Sequence, residues 1–263
     1  MSPFCGVAVA ERRLVVVLTP AESKRLIAKA VVKMPVVERA RREGRIIVGT
    51  GSTNSYVAEE ILGPVFPRHQ FISGHVIDGG FGSGGGPRLT PFVIQQGQLV
   101  STPWQEALPG LGPQDVVIKG ANAVDPQGNA GILLLSPTAG TIGALLGIVT
   151  ARGVPLIIPV GLEKLVPSVV EASAQAGLGR VTDALDGRTV GLMPVVNGEV
   201  VTEIQALSIL YGVEAVQLAG GGIGGAEGSV VLVARGTAAA VEQAKAGLAQ
   251  IKGEPPYGRP ATT

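Results

Sequence analysis

Arg45-Ile46-Ile47-Val48-Gly49-Thr50-Gly51-Ser52-Thr53-Asn54, with Ser55-Tyr56-Val57-Ala58-Glu59-Glu60-Ile61-Leu62 directly behind it, decides how this chain is read. A short apolar run of strand length ends in glycines and hydroxyls, and a helical run starts at once. A strand that turns straight into a helix is half of a βαβ unit, the building block of a helix-flanked sheet. The glycines let backbone N–H groups turn toward one point, and the helix start adds unpaired donors and the positive end of a dipole. Two readings follow. Gly49, Thr50, Gly51, Ser52, Thr53 and Asn54 form a cradle for phosphate or another compact anion, or the loop is a plain turn capped by Ser52 or Thr53. One cap needs one hydroxyl and the loop supplies several, which favours the cradle.

Working outward, the same alternation continues. Leu14 to Leu18 reads as a strand, and Thr19-Pro20-Ala21-Glu22 is a helix start with a capping hydroxyl, a proline in the first turn and a glutamate three residues on. Pro35 interrupts that helix, and Val36 to Arg42 continues as a second one. Gly63-Pro64 stops the helix that follows the glycine loop. Downstream, Phe71 to Asp78 reads as a strand and Phe92 to Val100 as two strands around a turn. Asp115 to Ile118 is a buried strand opening into Lys119-Gly120-Ala121-Asn122-Ala123-Val124-Asp125. Helix Thr141 to Arg152 precedes strand Pro155 to Val160. The expected fold class is α/β, a Rossmann-like three-layer parallel sheet over residues 1–186. After it, Val190 to Met193, Thr202 to Tyr211, Ala215 to Leu218, Val230 to Ala234 and Thr237 to Ile251 give the order β-α-β-β-α. That order predicts a smaller α+β domain of ferredoxin-like type over 187–252, with a proline-rich disordered or draped tail at 253–263.

Composition narrows the functional classes. The chain has 263 residues, 46% of them hydrophobic and only 3% aromatic, so its core is built of Val, Leu, Ile and Ala, as suits parallel strands under helices. Its 21 basic and 20 acidic residues nearly cancel, which argues against a nucleic-acid or anionic-membrane surface. A lone Cys5 leaves no internal disulfide, cysteine-built zinc site or iron–sulfur cluster within one chain, and points to the cytoplasm. The opening segment lacks the basic start of a signal peptide, and the apolar stretch after Ile132 is broken by Pro137 and glycines, so no membrane span is expected. His69 and His75 show no metal-binding spacing, and no metal or cofactor is expected.

Two segments match G-x-G-x-x-G, Gly80 to Gly85 and Gly220 to Gly225, but neither leads into a helix as the dinucleotide fingerprint requires. The first reads as a loop near the ligand, the second as a hairpin at a subunit or domain contact. The low charge and this hairpin are compatible with a homo-oligomer.

The assembled motifs resemble the superfamily of ribose-5-phosphate isomerase, glucosamine-6-phosphate deaminase and CoA transferases. Gly49-Thr50-Gly51-Ser52-Thr53 is similar to the phosphate loop of the pentose isomerase. The run Asp115 to Asn129, with Gly120-Ala121-Asn122-Ala123 at its centre, and the run Ile158 to Pro167 are closest to the lactate-utilisation (LUD) branch. The resemblance covers about Pro20 to Ser168 and implies a Rossmann-like fold with a small-molecule site. The chain departs from the pattern in places. Ile132-Leu133-Leu134 stands where the isomerase places a glutamate base, and Glu163 only loosely matches the CoA transferase glutamate.

The residues fall into roles as follows. Lys119 ends a buried strand, where it neutralises an anion or polarises a carbonyl, or else reaches solvent. Asp125 acts as a base or caps the turn Asp125-Pro126-Gln127-Gly128. Asn122 and Gly120 contact ligand or shape that turn. Asp78 sits at a strand end, with His75 expected on the opposite face. Glu163 and Lys164 face the sheet edge or form a salt pair at a helix start. The expected function is binding of a small phosphorylated or carboxylated metabolite at the carboxyl edge of the sheet. If there is catalysis, it is isomerase-type proton transfer, with Lys119 on the oxyanion and Asp78 or Asp125 moving the proton. The alternatives are a non-catalytic metabolite sensor or assembly protein, and acyl-CoA transfer or hydrolysis through Glu163.

Overall fold

A computed structural model describes residues 11–77, 79–82, 88–185 and 188–258. Along the chain run β1 (Glu11–Leu18), α1 (Pro20–Val31), α2 (Pro35–Glu43), β2 (Arg45–Val48), α3 (Ser52–Leu62), β3 (His75–Ile77), β4 (Gly80–Gly82), β5 (Phe92–Gln95), β6 (Gln98–Val100), α4 (Trp104–Ala107), β7 (Val116–Ile118), β8 (Ala123–Val124) and β9 (Ala130–Leu134). Then follow α5 (Gly140–Arg152), β10 (Leu156–Pro159), α6 (Val169–Gln175), β11 (Gly191–Val195), β12 (Glu199–Val201), α7 (Glu203–Tyr211), β13 (Glu214–Gly221), β14 (Ser229–Thr237) and α8 (Ala238–Ala249).

The central sheet has the order β12-β10-β7-β2-β5-β6. Its first four strands are parallel, with Val48 level with Ile118 and Ile157 level with Ile118 on the other side. The expectation of a wholly parallel sheet is corrected at one edge, where β5 and β6 run antiparallel. Gln96 and Gly97 both take positive φ, so this hairpin closes in two residues and leaves no room for a crossover helix.

Strand alternation builds two cores. Ile46, Val48, Val116, Ile118 and Ile157 point into one with Leu26, Ile27, Val31, Val57 and Ile61 of α1 and α3. Ile47, Val117, Leu156 and Ile158 point into the other, with Ile142, Leu145 and Val149 of α5 and with Ala130 and Ile132 of β9. The capping box read in the sequence forms: Thr19 Oγ1 accepts from the Glu22 amide at 3.3 Å, and Glu22 accepts from the Thr19 amide at 2.9 Å.

The ferredoxin-like layer expected over 187–252 does not form from its own strands. β11 joins β9 antiparallel, and β12 joins the central sheet beside β10. The remaining hairpin, β13 with β14, takes the N-terminal strand β1 as its third member. The expected order β-α-β-β-α lacked β12, so the segment runs β-β-α-β-β-α, and pairing is decided by long-range partners that periodicity does not reveal. Helix α8 packs on β1 and β14, and α7 on β13, while Val15, Val17, Val216 and Leu218 remain exposed. The tail is draped over 253–258: Glu254 pairs with Arg25 and Arg68, and Tyr257 donates to the Arg68 carbonyl. No helix among the described residues is long and apolar enough to cross a membrane.

Candidate functional site

The parallel strands β2, β7 and β10 end side by side, so the segments that leave them meet at one edge. A cavity of about 140 Å³ opens there. Thr50, Gly51, Ser52 and Thr53 line it from the β2–α3 loop, Lys119, Gly120 and Asn122 from the end of β7, and Lys164 from the turn after β10. Ser73 and His75 complete the polar lining, and Val76, Phe81, Ile132, Leu133 and Leu135 form much of the rest.

The loop is built as its glycines require. Gly51 has φ of 155°, a conformation that side-chain-bearing residues rarely adopt, and it occupies the cap position of α3. Ser52 and Thr53 are therefore the first two helical residues and not the cap; no side chain caps this end. An uncapped first turn presents its amides outward, together with the dipole's positive end. Two further amides are spent holding the loop in place: Gly49 donates to the Ile118 carbonyl and Gly51 to the Phe71 carbonyl, each at 2.9 Å. The Thr50 hydroxyl meets that of Ser73 at 2.9 Å, and Ser55 donates to the Ser52 carbonyl at 2.7 Å.

Asn54 and Gly49 lie behind the cavity. Asn54 is fully buried and turns inward, donating to the Gly49 carbonyl at 2.7 Å, so it braces the loop from beneath. Its Oδ1 has no hydrogen-bond partner, and a Cβ on Gly120 would come within 3.2 Å of it. Gly49 is shaped by Lys119 instead: a Cβ there would lie 2.7 Å from the lysine Cδ. The missing side chain at Gly49 is what lets Lys119 lie along the loop and into the cavity.

Lys119 and Lys164 set the electrostatics. Lys119 Nζ donates to the Gly120 carbonyl at 3.2 Å, and Lys164 Nζ to the Ala121 carbonyl at 3.1 Å. Burial, reinforced by the charge of Lys164, pushes Lys119 down to about 8. Burial and then Lys24 push Lys164 down to about 8, against the opposing pull of Glu163 and Glu203. Two like charges thus share one cavity, and no carboxylate lines it among the described residues.

The carboxylates put forward from sequence are not brought here. Asp125 Oδ1 accepts from the amides of Gln127 at 3.1 Å and Asn129 at 2.9 Å, and Oδ2 from Asn129 Nδ2 at 3.0 Å and the buried Val169 amide at 2.9 Å. Burial alone would raise its pKa, but these donors hold it below the usual carboxylate value. Asp125 pins its turn to α6 and borders a different cavity, with Leu162 and Thr202. Glu163 is turned away and pairs with the buried Lys24 at 2.9 Å. Asp78 lies outside the described residues. Asn122 both lines the cavity and closes the β8–β9 hairpin, its Oδ1 accepting from the Leu133 amide at 3.0 Å.

Of the polar lining residues, Ser73 was not singled out from sequence, whereas Lys164 and His75 were weighed there without being assigned a binding role. The signal for Lys164 was present, since the turn after β10 was expected at this edge. Its helical twist sends neighbouring side chains in different directions, Glu163 to Lys24 and Lys164 to the cavity. Among the described residues, no group of three His, Cys, Asp or Glu side chains gathers to hold a metal ion.

No protein-family model and no curated protein sequence matches the chain. Among solved structures, a D-ribose-5-phosphate isomerase in complex with phospho-erythronic acid is similar over 81% of this chain and 78% of that one, at 16% identity and a TM-score of 0.29. So slight a likeness carries no functional argument, and the reading below rests on the geometry of the cavity.

Proposed function

We propose that this cavity binds a small metabolite through a phosphate or carboxylate group. The observation that carries the proposal is the presence of Lys119 and Lys164 in one cavity with the uncapped start of α3. Two ammonium groups, hydroxyls and outward amides are donors, and an anion is the ligand that all of them favour. The runs Asp115 to Asn129 and Ile158 to Pro167 support a place for the chain beside the LUD branch, and Gly49-Thr50-Gly51-Ser52-Thr53 supports the wider superfamily.

Chemistry at a carbonyl is the further step of this reading. Lys119 would hold the developing oxyanion there, and the proton-moving role passes to Asp78, because Asp125 is committed to its turn. A second reading, a non-catalytic sensor, is favoured by the lack of a carboxylate in the described lining. Transfer of acyl groups from CoA through Glu163 is disfavoured by the Lys24 pair.

Calorimetric titration with inorganic phosphate, methyl phosphate and acetate tests the binding itself. Loss of one charge-assisted contact is worth about 1.5–3 kcal/mol, so Lys119→Gln and Lys164→Gln should each weaken binding by roughly 10- to 100-fold. Unchanged affinity in the double variant would end the proposal.

A further inference from the structure

The anion cavity is one end of a longer cleft. A second cavity, of about 430 Å³, shares Thr50, Ser73, Gly74, Lys119, Ile132, Leu133 and Leu135 with the first, and so opens directly from it. Beyond the junction its lining changes character. Leu134, Ala139 and Ile142 join the two shared leucines, and Ser136, Thr141 and Arg188 supply the polar part. Leu133 and Leu134, which end β9, are both partly exposed, although a strand with one buried face would turn alternate residues fully inward, and Leu135 just beyond the strand is partly exposed as well.

We infer that the ligand is an amphiphilic anion: a phosphate or carboxylate head at Lys119 and Lys164, and an apolar body lying along Leu133 and Leu135. The inference rests on the anion-binding reading and names its substrate class. A sugar body would present hydroxyls that need partners at each position. Past the hydroxyls and amides that hold the head group, the larger cavity offers instead Ile132, Leu133, Leu134, Leu135, Ala139 and Ile142. The combined space suits a body larger than a three- or four-atom metabolite, since small-molecule sites are typically about 300–1,000 Å³. Lys119 stands at the joint and borders both chambers, which places the bond between head and body beside its ammonium.

The test is a chain-length series of methyl, butyl and hexyl phosphate, with ribose 5-phosphate as the polar comparison, titrated calorimetrically into the full chain. Each buried methylene should tighten binding by about two- to fourfold, or on the order of 30-fold or more from methyl to hexyl. Ribose 5-phosphate should bind no tighter than methyl phosphate. Leu134→Ala, at a side chain that borders the larger cavity and not the anion cavity, should cut the affinity for hexyl phosphate by about fivefold or more and leave that for methyl phosphate within about twofold. A flat series, or a pentose phosphate that outbinds the hexyl ester, overturns the inference while lysine-dependent binding of methyl phosphate keeps the anion reading. If methyl phosphate binds with no dependence on Lys119 and Lys164, or fails to bind, both fall together.

Discussion

Anion affinity should collapse as pH rises through the value at which Lys119 and Lys164 lose their protons. Both are held at about 8, against an ordinary 10.5. An anion between them restores the attraction that burial removed and lifts both values again. Binding is therefore strongest where both are already charged and weakens as the free protein deprotonates. Where the anion lifts both values back toward the ordinary 10.5, each lysine costs a factor of about ten in affinity between about pH 7 and about pH 9. The pair together costs about a hundredfold, and because the two interact, the midpoint belongs to the pair. A phosphate ester adds a second limb, since it gains a proton near pH 6, whereas a carboxylate stays flat to about pH 4. At pH 8 each free lysine is half protonated, so binding should take up about one proton per anion in total.

The assay is calorimetry of methyl phosphate and acetate across this range, in buffers of differing ionisation enthalpy that count protons directly. The ligand-free protein supplies an independent check. A lysine whose folded value is depressed binds fewer protons folded than unfolded between the two values, so stability rises with pH from about 8 to about 10.5. For one lysine the full shift corresponds to on the order of 3 kcal/mol. The ligand-free melting temperature should climb over that interval while stabilisation by ligand shrinks. A dissociation constant that holds level from pH 7 to pH 9, with no buffer-dependent heat, refutes the electrostatic reasoning outright.

Other substitutions separate the site from its scaffold. Gly49→Ala places a methyl against Lys119 Cδ, and should weaken anion binding by about tenfold with little change in melting temperature, because a flexible chain yields first. Asp125→Ala strips the donors of its turn and leaves the buried Val169 amide unpaired. It should cost about 2–4 kcal/mol in denaturant unfolding and spare anion affinity where the variant is folded. Because the folded Asp125 value is depressed, its contribution is full above about pH 4 and is lost as acid protonates it. Glu163→Gln leaves Lys24 charged and nearly buried, and should destabilise by about 3 kcal/mol. Incubation of the native chain with acyl-CoA, followed by mass spectrometry, should give no adduct at Glu163.

How much of this was legible in the sequence depends on the range of the interaction that decided it. Thr19, Pro20 and Glu22 act within one turn, and their capping box formed as read. The glycine loop was equally local, and it does join β2 to α3 at the carboxyl edge. The direction of Asn54 was not legible, because it depends on the Gly49 and Ile118 carbonyls, one of them 64 positions away in sequence. The same limit explains Asp125, where the local motif already predicted a turn and the Val169 amide made the commitment complete. It also explains the small sheet, whose third strand comes from the opposite end of the chain.

Glu163 and Glu203 both act electrostatically on Lys164, and either would neutralise it if aimed at it. Each is used elsewhere. Glu163 is bound to Lys24, and Glu203, fully buried at the start of α7, accepts the Leu162 amide at 2.9 Å. Burial pushes the Glu203 carboxyl up, and Glu163 adds to that push. The fold therefore orders carboxylates around the turn that carries Lys164, and leaves its ammonium facing a second lysine. Keeping two depressed lysines together lowers the stability of the empty protein, by the reasoning that gave on the order of 3 kcal/mol for one of them. A sequence under pressure for stability alone would exchange one of the two for a neutral residue. Retaining both makes sense when something negative regularly lies between them.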